Sequence, residues 1–316
     1  MKKLRSAVVG VGYLGNFHAQ KYKNNSHCEL VGICDAFVET AKKRSEELSV
    51  PYFTDPKELI GKVDLVTVAA STTYHYELAA MFLKAGIAVN VEKPMTATLQ
   101  QAESLLEIHQ KTKTLLTVGH IERFNPAIRE LKKQMAGTAS LPYHFELTRW
   151  ATFKARGSDV SVVYDLMIHD LDLVFDLTQS EVADFMVSGS SLVSKELDSV
   201  QASFKMKNQQ TVQVTVSRVS PKMVRNIKAY ASQKIVNANT ASLELDIQTL
   251  NNTPQNSDDL VLSQSIQVAK VDALQEETNH FVDCVLGKTT PLITAFDGLR
   301  SMQWADRLTN EIIRGR

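Results

Sequence analysis

Val8-Val-Gly-Val-Gly-Tyr-Leu-Gly15 joins a short β-type run, Ser6 to Val9, to a helix-forming stretch through a glycine turn. The three glycines have separate uses at such a junction. Gly10 permits the tight turn, Gly12 leaves the backbone bare where a pyrophosphate approaches, and Gly15 lets the following helix lie close to the strand. The helix that opens at Tyr13 and Leu14 then points its unsatisfied N–H groups, and the positive end of its dipole, at the phosphates. Such a triplet also occurs by chance in loops that bind nothing, so a nucleotide-free fold of the same shape is the alternative. Context favours the nucleotide. A second β-type run, Glu29 to Cys34, ends in Asp35, about 20 residues past Gly15, where an acid holds a ribose 2′-hydroxyl. A carboxylate there repels a 2′-phosphate, which favours NAD over NADP.

Strand and helix patterns alternate outward from this turn. A helix is expected from about Ala36 to Leu48, then a short strand around Tyr52, then a helix opened by Asp55 with Pro56 at its first position and Glu58 three residues past the cap. Val63 to Ala69 is nearly continuous in apolar and β-branched residues, as a strand buried on both faces requires. His75 to Ala85 and Leu99 to His109 read as helices, and Ala88 to Val91 and Thr114 to Val118 as strands. Repeated units of this length imply a doubly wound parallel sheet.

The pattern changes after Asn125. Pro126 opens a helix to about Met135, and the apolar period then becomes two: Val200, Ala202, Phe204 and Met206, then Val212, Val214 and Val216, then Leu243, Leu245 and Ile247. Strands with one apolar face make an antiparallel sheet that is solvated, or covered by a partner, on its other side. Asn251 to Asp259 is a polar connecting loop. Two helices follow, one near Leu274 to Leu286 stopped by Gly287 and one from about Ala295 to Ile313 capped by Thr294. The expected class is therefore α/β, with a Rossmann domain over 1–123 and a second domain with an open, mainly antiparallel sheet over 124–316, its final helix able to pack back on the first.

Composition narrows the partners. The 316 residues carry 35 Lys and Arg against 35 Asp and Glu, so no global field attracts nucleic acid or an anionic membrane, and small molecules are the expected partners. Cys28, Cys34 and Cys284 have neither metal-ligand spacing nor an even count, which suits a reducing cytoplasm. Met-Lys-Lys-Leu-Arg lacks the apolar core of a signal peptide, and no run is long enough to span a bilayer.

Three further stretches carry chemistry. Glu92-Lys93-Pro94 directly follows a strand, at the carboxyl edge where such sheets bind ligands, so Lys93 can reach a substrate hydroxyl or carbonyl; a solvated lysine in a turn is the plain alternative. Asp165 and His169, with Asp170 and Asp172 close behind, share a face if their segment is helical. A carboxylate beside an imidazole stabilises its protonated form, so His169 could take a proton from an alcohol; a surface ion pair or a satisfied buried histidine explains the spacing equally well. Ser71-Thr72-Thr73-Tyr74-His75 follows the buried strand and either borders the cofactor or caps the next helix.

Taken in order and spacing, the glycine turn, Ser71 to His75, Glu92-Lys93-Pro94 and the Asp165/His169 pair resemble the glucose-fructose oxidoreductase and inositol dehydrogenase family over essentially the whole chain. The resemblance implies a sugar-type substrate, Lys93 and His169 as catalytic groups, and Asp165 as a substrate or histidine partner. It also implies cofactor contacts from Gly10, Gly12, Tyr13, Leu14, Gly15, Asp35, Ser71, Thr72, His75, Glu92 and Lys93. Ser71 departs from the proline often found at its place in the family. Gly119-His120-Ile121-Glu122-Arg123-Phe124-Asn125-Pro126 and the run Asp159 to Asp170 further resemble members that oxidise the 3-hydroxyl of UDP-N-acetylglucosamine and pass the 3-keto sugar to an aminotransferase. Substrate contacts are accordingly expected from Lys93, Glu122, Arg123, Asn125, Asp165 and His169, while Arg149 and Trp150, at the end of an expected strand, either meet a diphosphate or a ring or serve structural packing. The implied reaction is reversible hydride transfer to NAD in a cytoplasmic homo-oligomer, a dimer or tetramer, that needs no metal. Inositol or a free sugar is the alternative substrate, and a non-catalytic NAD-binding regulator the alternative class.

Overall fold

In the computed structural model, residues 3–136, 143–154 and 160–315 are described, and Asp159 lies outside them. The first part of the chain alternates β1 (Leu4–Val9), α1 (Tyr13–Asn24), β2 (Cys28–Cys34), α2 (Val38–Leu48), β3 (Tyr52–Phe53), β4 (Leu65–Val68), α3 (His75–Lys84), β5 (Ala88–Val91), α4 (Leu99–Thr112) and β6 (Leu116–Val118). The six strands are parallel in the order β3-β2-β1-β4-β5-β6, the doubly wound arrangement in which the order reverses beside β1. Every residue of β4 and β5 is buried, as a sheet covered on both faces demands.

The helix expected after Asp55 is only a 3₁₀ turn, Pro56–Leu59. Asp55 does cap it, accepting the Lys57 N–H at 2.9 Å, but Gly61 with φ +81° breaks the chain away one residue past Ile60. That leaves too few residues for a stable α-helix.

The remainder runs α5 (Pro126–Met135), β7 (His144–Trp150), α6 (Ile168–Thr178), β8 (Val182–Ser190), β9 (Ser199–Met206), β10 (Thr211–Ser217), β11 (Val224–Ala231), β12 (Lys234–Asn239), β13 (Glu244–Leu250), β14 (Val261–Gln267), α7 (Ala273–Val285) and α8 (Ala295–Arg314). Strands β7 to β14 form one sheet, ordered β14-β13-β12-β11-β7-β10-β9-β8. Its neighbours are antiparallel except β7 and β10, which pair in parallel. One face is apolar: Phe145 and Leu147 of β7, Val200, Ala202 and Phe204 of β9, and Val212, Val214 and Val216 of β10 pack with α5, α6 and the last turns of α8. Leu243, expected in a strand, instead turns with φ +61° just before β13. A π-helical turn, Val163–Met167, runs straight into α6, so the expected helix around Asp165 and His169 is locally widened.

The chain divides into two units, residues 1–121 with 272–303 and residues 122–271 with 304–316. Helix α7 thus returns to the first unit, a division that a single cut near residue 123 does not describe. The cause is its apolar stripe: Phe281 and Val282 are buried in one cluster with Val8, Tyr22 and Leu65. In the second unit Trp304 lies against Phe175, Phe185 and Phe204, with ring centroids 6.3, 5.4 and 5.7 Å away. Trp304→Ala is expected to cost about 3 kcal/mol of stability by emptying that aromatic cluster, measured as a lowered midpoint of urea unfolding.

Candidate active site

In the first unit the loops that follow β1, β2, β4, β5 and β6 all leave the carboxyl edge of the sheet. Gly10, at φ +83°, sits so close to the loop after β4 that an added Cβ would lie 2.4 Å from the Ala70 Cα. A Cβ on Gly15 would lie 1.7 Å from the Gly10 carbonyl oxygen, so helix α1 can approach the turn only through glycine. Gly12 differs: nothing stands within 4 Å of the space its Cβ would take. It is also the first cap of α1 and supplies no side chain to the free N–H groups, while Tyr13 and Leu14 turn their side chains to solvent. Asp35 fastens this loop from below, accepting the Val11 N–H at 2.9 Å and the Phe37 N–H at 3.0 Å. An open backbone cradle at a helix N-terminus, with a carboxylate at the end of β2, fits a dinucleotide.

The loop after β4 carries Ser71, exposed and without a capping bond, and Thr72 in a 3₁₀ turn. His75 is buried, with Nδ1 2.9 Å from the Pro94 carbonyl oxygen and Nε2 2.9 Å from that of Ala70. It therefore ties the loop after β4 to the Lys93-Pro94 step after β5. Burial pushes its imidazole below the ordinary pKa, against the pull of the two carbonyls. Glu92 turns inward, Oε1 2.7 Å from His18 Nε2 and Oε2 accepting the Lys93 N–H at 3.2 Å. Lys93 is half-buried, and its bond to Pro94 is cis.

In the second unit Asp165 and His169 are both half-buried, one in the π-helical turn and the other at the start of α6. The next three acids of α6 face inward and meet cations. Asp170 takes Arg149 Nε at 2.9 Å and Nη2 at 3.0 Å, Asp172 takes Arg123 Nε at 2.8 Å and Nη2 at 2.6 Å, and Asp176 takes Lys132 Nζ at 2.8 Å. Arg149 Nη1 also donates to Glu122 at 2.8 Å, and Asn125 joins Glu122 at 3.2 Å while capping α5 through the Ala127 N–H. Burial alone would lower the Arg149 guanidinium, but the charges of Asp170 and Glu122 outweigh it and hold the group above its ordinary value. Strand alternation puts Arg149 on the core face in line with Phe145 and Leu147, and the carboxylates answer that placement. Glu122, Arg123 and Arg149, expected at the substrate, thus have their polar atoms spent on internal partners, whereas Trp150 is exposed at the strand end. They brace the helix that presents His169.

Two buried residues close to Glu92 escape the sequence reading. His18 lies in the apolar stripe of α1 with Gly15, Ala19 and Tyr22, and Glu277 in that of α7 with Phe281. The available signal was an ionisable group on a helix's core face. Among the described residues no group of three or more His, Cys, Asp or Glu is placed to hold a metal ion, and no helix is long and apolar enough to cross a membrane.

A doubly wound nucleotide sheet with this glycine cradle, followed by an open mixed sheet, defines an oxidoreductase that uses NAD. Residues 4–120 match the oxidoreductase family with an NAD-binding Rossmann fold and residues 133–235 the GFO/IDH/MocA C-terminal domain, so the chain belongs to the GFO/IDH/MocA family. It is 32% identical over 290 residues to a UDP-N-acetylglucosamine 3-dehydrogenase of Acidithiobacillus ferrooxidans, covering 90% of each chain. It is 24% identical to a scyllo-inositol 2-dehydrogenase (NAD+) of Bacillus subtilis, over 99% of this chain and 95% of that one. A solved structure of the Acidithiobacillus ferrooxidans enzyme superposes with a TM-score of 0.88 at 29% identity, over 99% of this chain and 98% of that one.

Asp35→Ala is expected to weaken NAD binding about 10- to 100-fold by freeing the glycine loop, and to narrow the preference for NAD over NADP, both read by calorimetric titration. Arg149→Met leaves two buried carboxylates without their cation and is expected to cost about 3–5 kcal/mol in thermal unfolding, part of it recovered by adding Asp170→Asn.

Proposed function

We propose that this protein is an NAD-dependent sugar dehydrogenase that oxidises the 3-hydroxyl of UDP-N-acetylglucosamine. The observation that carries the chemistry is Lys93, set directly after β5 on the same sheet edge as the glycine cradle and tied there through Glu92 and Pro94. The substrate class rests on the 32% identity to a 3-dehydrogenase of that nucleotide sugar over 90% of both chains. Bound NAD, held by Gly10, Gly12, Tyr13, Leu14, Gly15 and Asp35 and bordered by Ser71, Thr72 and His75, supplies the hydride acceptor. His169 takes the hydroxyl proton, with Asp165 favouring the protonated imidazole. The Lys93 ammonium stabilises the negative charge that develops on the same oxygen. Glu122, Arg123, Asn125 and Arg149 serve the substrate indirectly, by fixing the start of α6. The residues 1–123 act as the cofactor domain and 124–316 as the substrate and assembly domain, with 272–303 returning to the first. A homo-oligomer, dimer or tetramer, paired through the polar face of the eight-stranded sheet, a cytoplasmic setting and an aminotransferase that consumes the keto sugar complete the proposal.

Mixing the protein with NAD and UDP-N-acetylglucosamine is expected to generate NADH absorbance. Turnover of inositol or a free hexose in its place would move the assignment to the inositol dehydrogenase branch, and inertness toward a broad sugar panel would favour a non-catalytic regulator. Lys93→Met and His169→Ala are each expected to lower kcat by about 10²- to 10⁴-fold with NAD affinity retained, separating catalysis from cofactor binding.

A further inference from the structure

Beneath the Glu92-Lys93 step lies a set of buried polar groups drawn from five elements. From α1 comes His18, 1% exposed, whose Nε2 meets Glu92 Oε1 at 2.7 Å. From α7 comes Glu277, 4% exposed, whose Oε1 accepts Asn90 Nδ2 of β5 at 3.2 Å. Asn90 in turn accepts Thr117 Oγ1 of β6 at 2.9 Å, and Tyr22 of α1 bonds Thr67 of β4 at 2.7 Å. The charged groups acting on the trio are Lys21, about one turn along α1 from His18 and bonded to Asp272 at the start of α7, and Lys93 itself. Gly119 completes the packing, because a Cβ there would stand 3.2 Å from Glu92 Oε2.

This arrangement is costly for the fold. Charges removed from water need partners, and here one imidazole faces two carboxylates while His18 Nδ1 and Glu277 Oε2 stay buried without a protein partner. An apolar trio would pack more cheaply. The charges settle unevenly. Burial opposes the charged form of both members of the His18–Glu92 pair, but their contact raises the imidazole and lowers the carboxylate, each toward its charged form. Glu277 lacks such a partner, and burial pushes it up to about 7.

We propose that His18 is a positioning residue for Lys93, acting through the Glu92 carboxylate, with Glu277 as the buried neighbour of that pair. The Glu92 side chain receives the Lys93 backbone N–H on one oxygen and the imidazole on the other, so the imidazole sets where the carboxylate stands and the carboxylate sets where Lys93 leaves the strand. The same carboxylate lies within electrostatic reach of the Lys93 ammonium. A second ionised carboxylate at 277 would compete for the imidazole. This inference rests on the reading of Lys93 as a catalytic group.

The test uses the full chain with NAD and UDP-N-acetylglucosamine, and four variants: Lys93→Met, His18→Leu, His18→Gln and Glu92→Gln. His18→Leu is expected to lower kcat about 10-fold or more while NAD affinity and the KM for the sugar stay within about 2-fold, and His18→Gln, which still donates to Glu92, is expected to restore part of the loss. Glu92→Gln is expected to shift the alkaline limb of the kcat/KM profile to lower pH by about one unit. Wild-type kcat and pH profile in both His18→Leu and Glu92→Gln, beside an inactive Lys93→Met, would overturn the inference and leave the role of Lys93 intact. An active Lys93→Met would overturn both. A readout that needs no substrate is stability against pH. With its folded pKa raised from 4.5 to about 7, Glu277 favours the fold only while protonated, so that stability is lost as pH rises through this window. Glu277→Gln is expected to gain in thermal midpoint relative to wild type over the same range, and equal midpoints at every pH would remove Glu277 from the scheme.

Discussion

The first unit depends on backbone passing backbone with no side chain between. At Gly15 an added carbon would fall inside the Gly10 carbonyl, and at Gly10 it would fall on the loop after β4, so α1, β1 and β4 meet at van der Waals contact through two bare Cα atoms. The open edge of the sheet follows from that closeness. The helix N-terminus is brought over the strand order's reversal point, the loops after β4 and β5 are brought beside it, and of the three glycines in the turn Gly12 faces open space. Asp35, His75 and Glu92 then lock three of these loops through backbone groups, which keeps the edge rigid without filling it.

The second unit solves a different problem. Its helix α6 buries Asp170, Asp172 and Asp176 among apolar residues, with Asp170 and Asp172 on opposite sides of the helix at about 100° per residue. Each of the three is matched by a cation from β7, the turn before α5, or α5 itself. Bidentate guanidinium pairing restricts angle as well as distance, so these contacts set the rotation of α6 and with it the direction in which its first turn presents His169. Their value lies in placement more than in net stability, since burying paired charge returns little free energy over an apolar core.

Most of the fold was legible because its signals are local. The glycine turn, the buried run ending at Ala69, the capped helix at Thr294 and the period-two strands after Val200 all recur at the expected places. The failures are also physical. Asp55 and Pro56 are a sound helix opening, but Gly61 ends the helix before a second turn can form. The widened turn at Val163–Met167 has no mark in a pattern of apolar spacing, and neither does the parallel pairing of β7 with β10, which depends on a strand distant in sequence.

The two sheet types and the glycine cradle are legible in the sequence alone, because glycine geometry and side-chain periodicity act over a few residues. Only the tertiary structure decided which charged groups face outward. Arg149, Arg123 and Glu122 look like ligand contacts when read in line, yet alternation and helix packing turn them into the protein, where carboxylates from α6 and the turn before α5 are within reach. His18, Glu92 and Glu277 are 74 and 185 residues apart along the chain. They become one site because parallel strands bring α1, β5 and α7 together, a proximity to which no local rule of sequence has access.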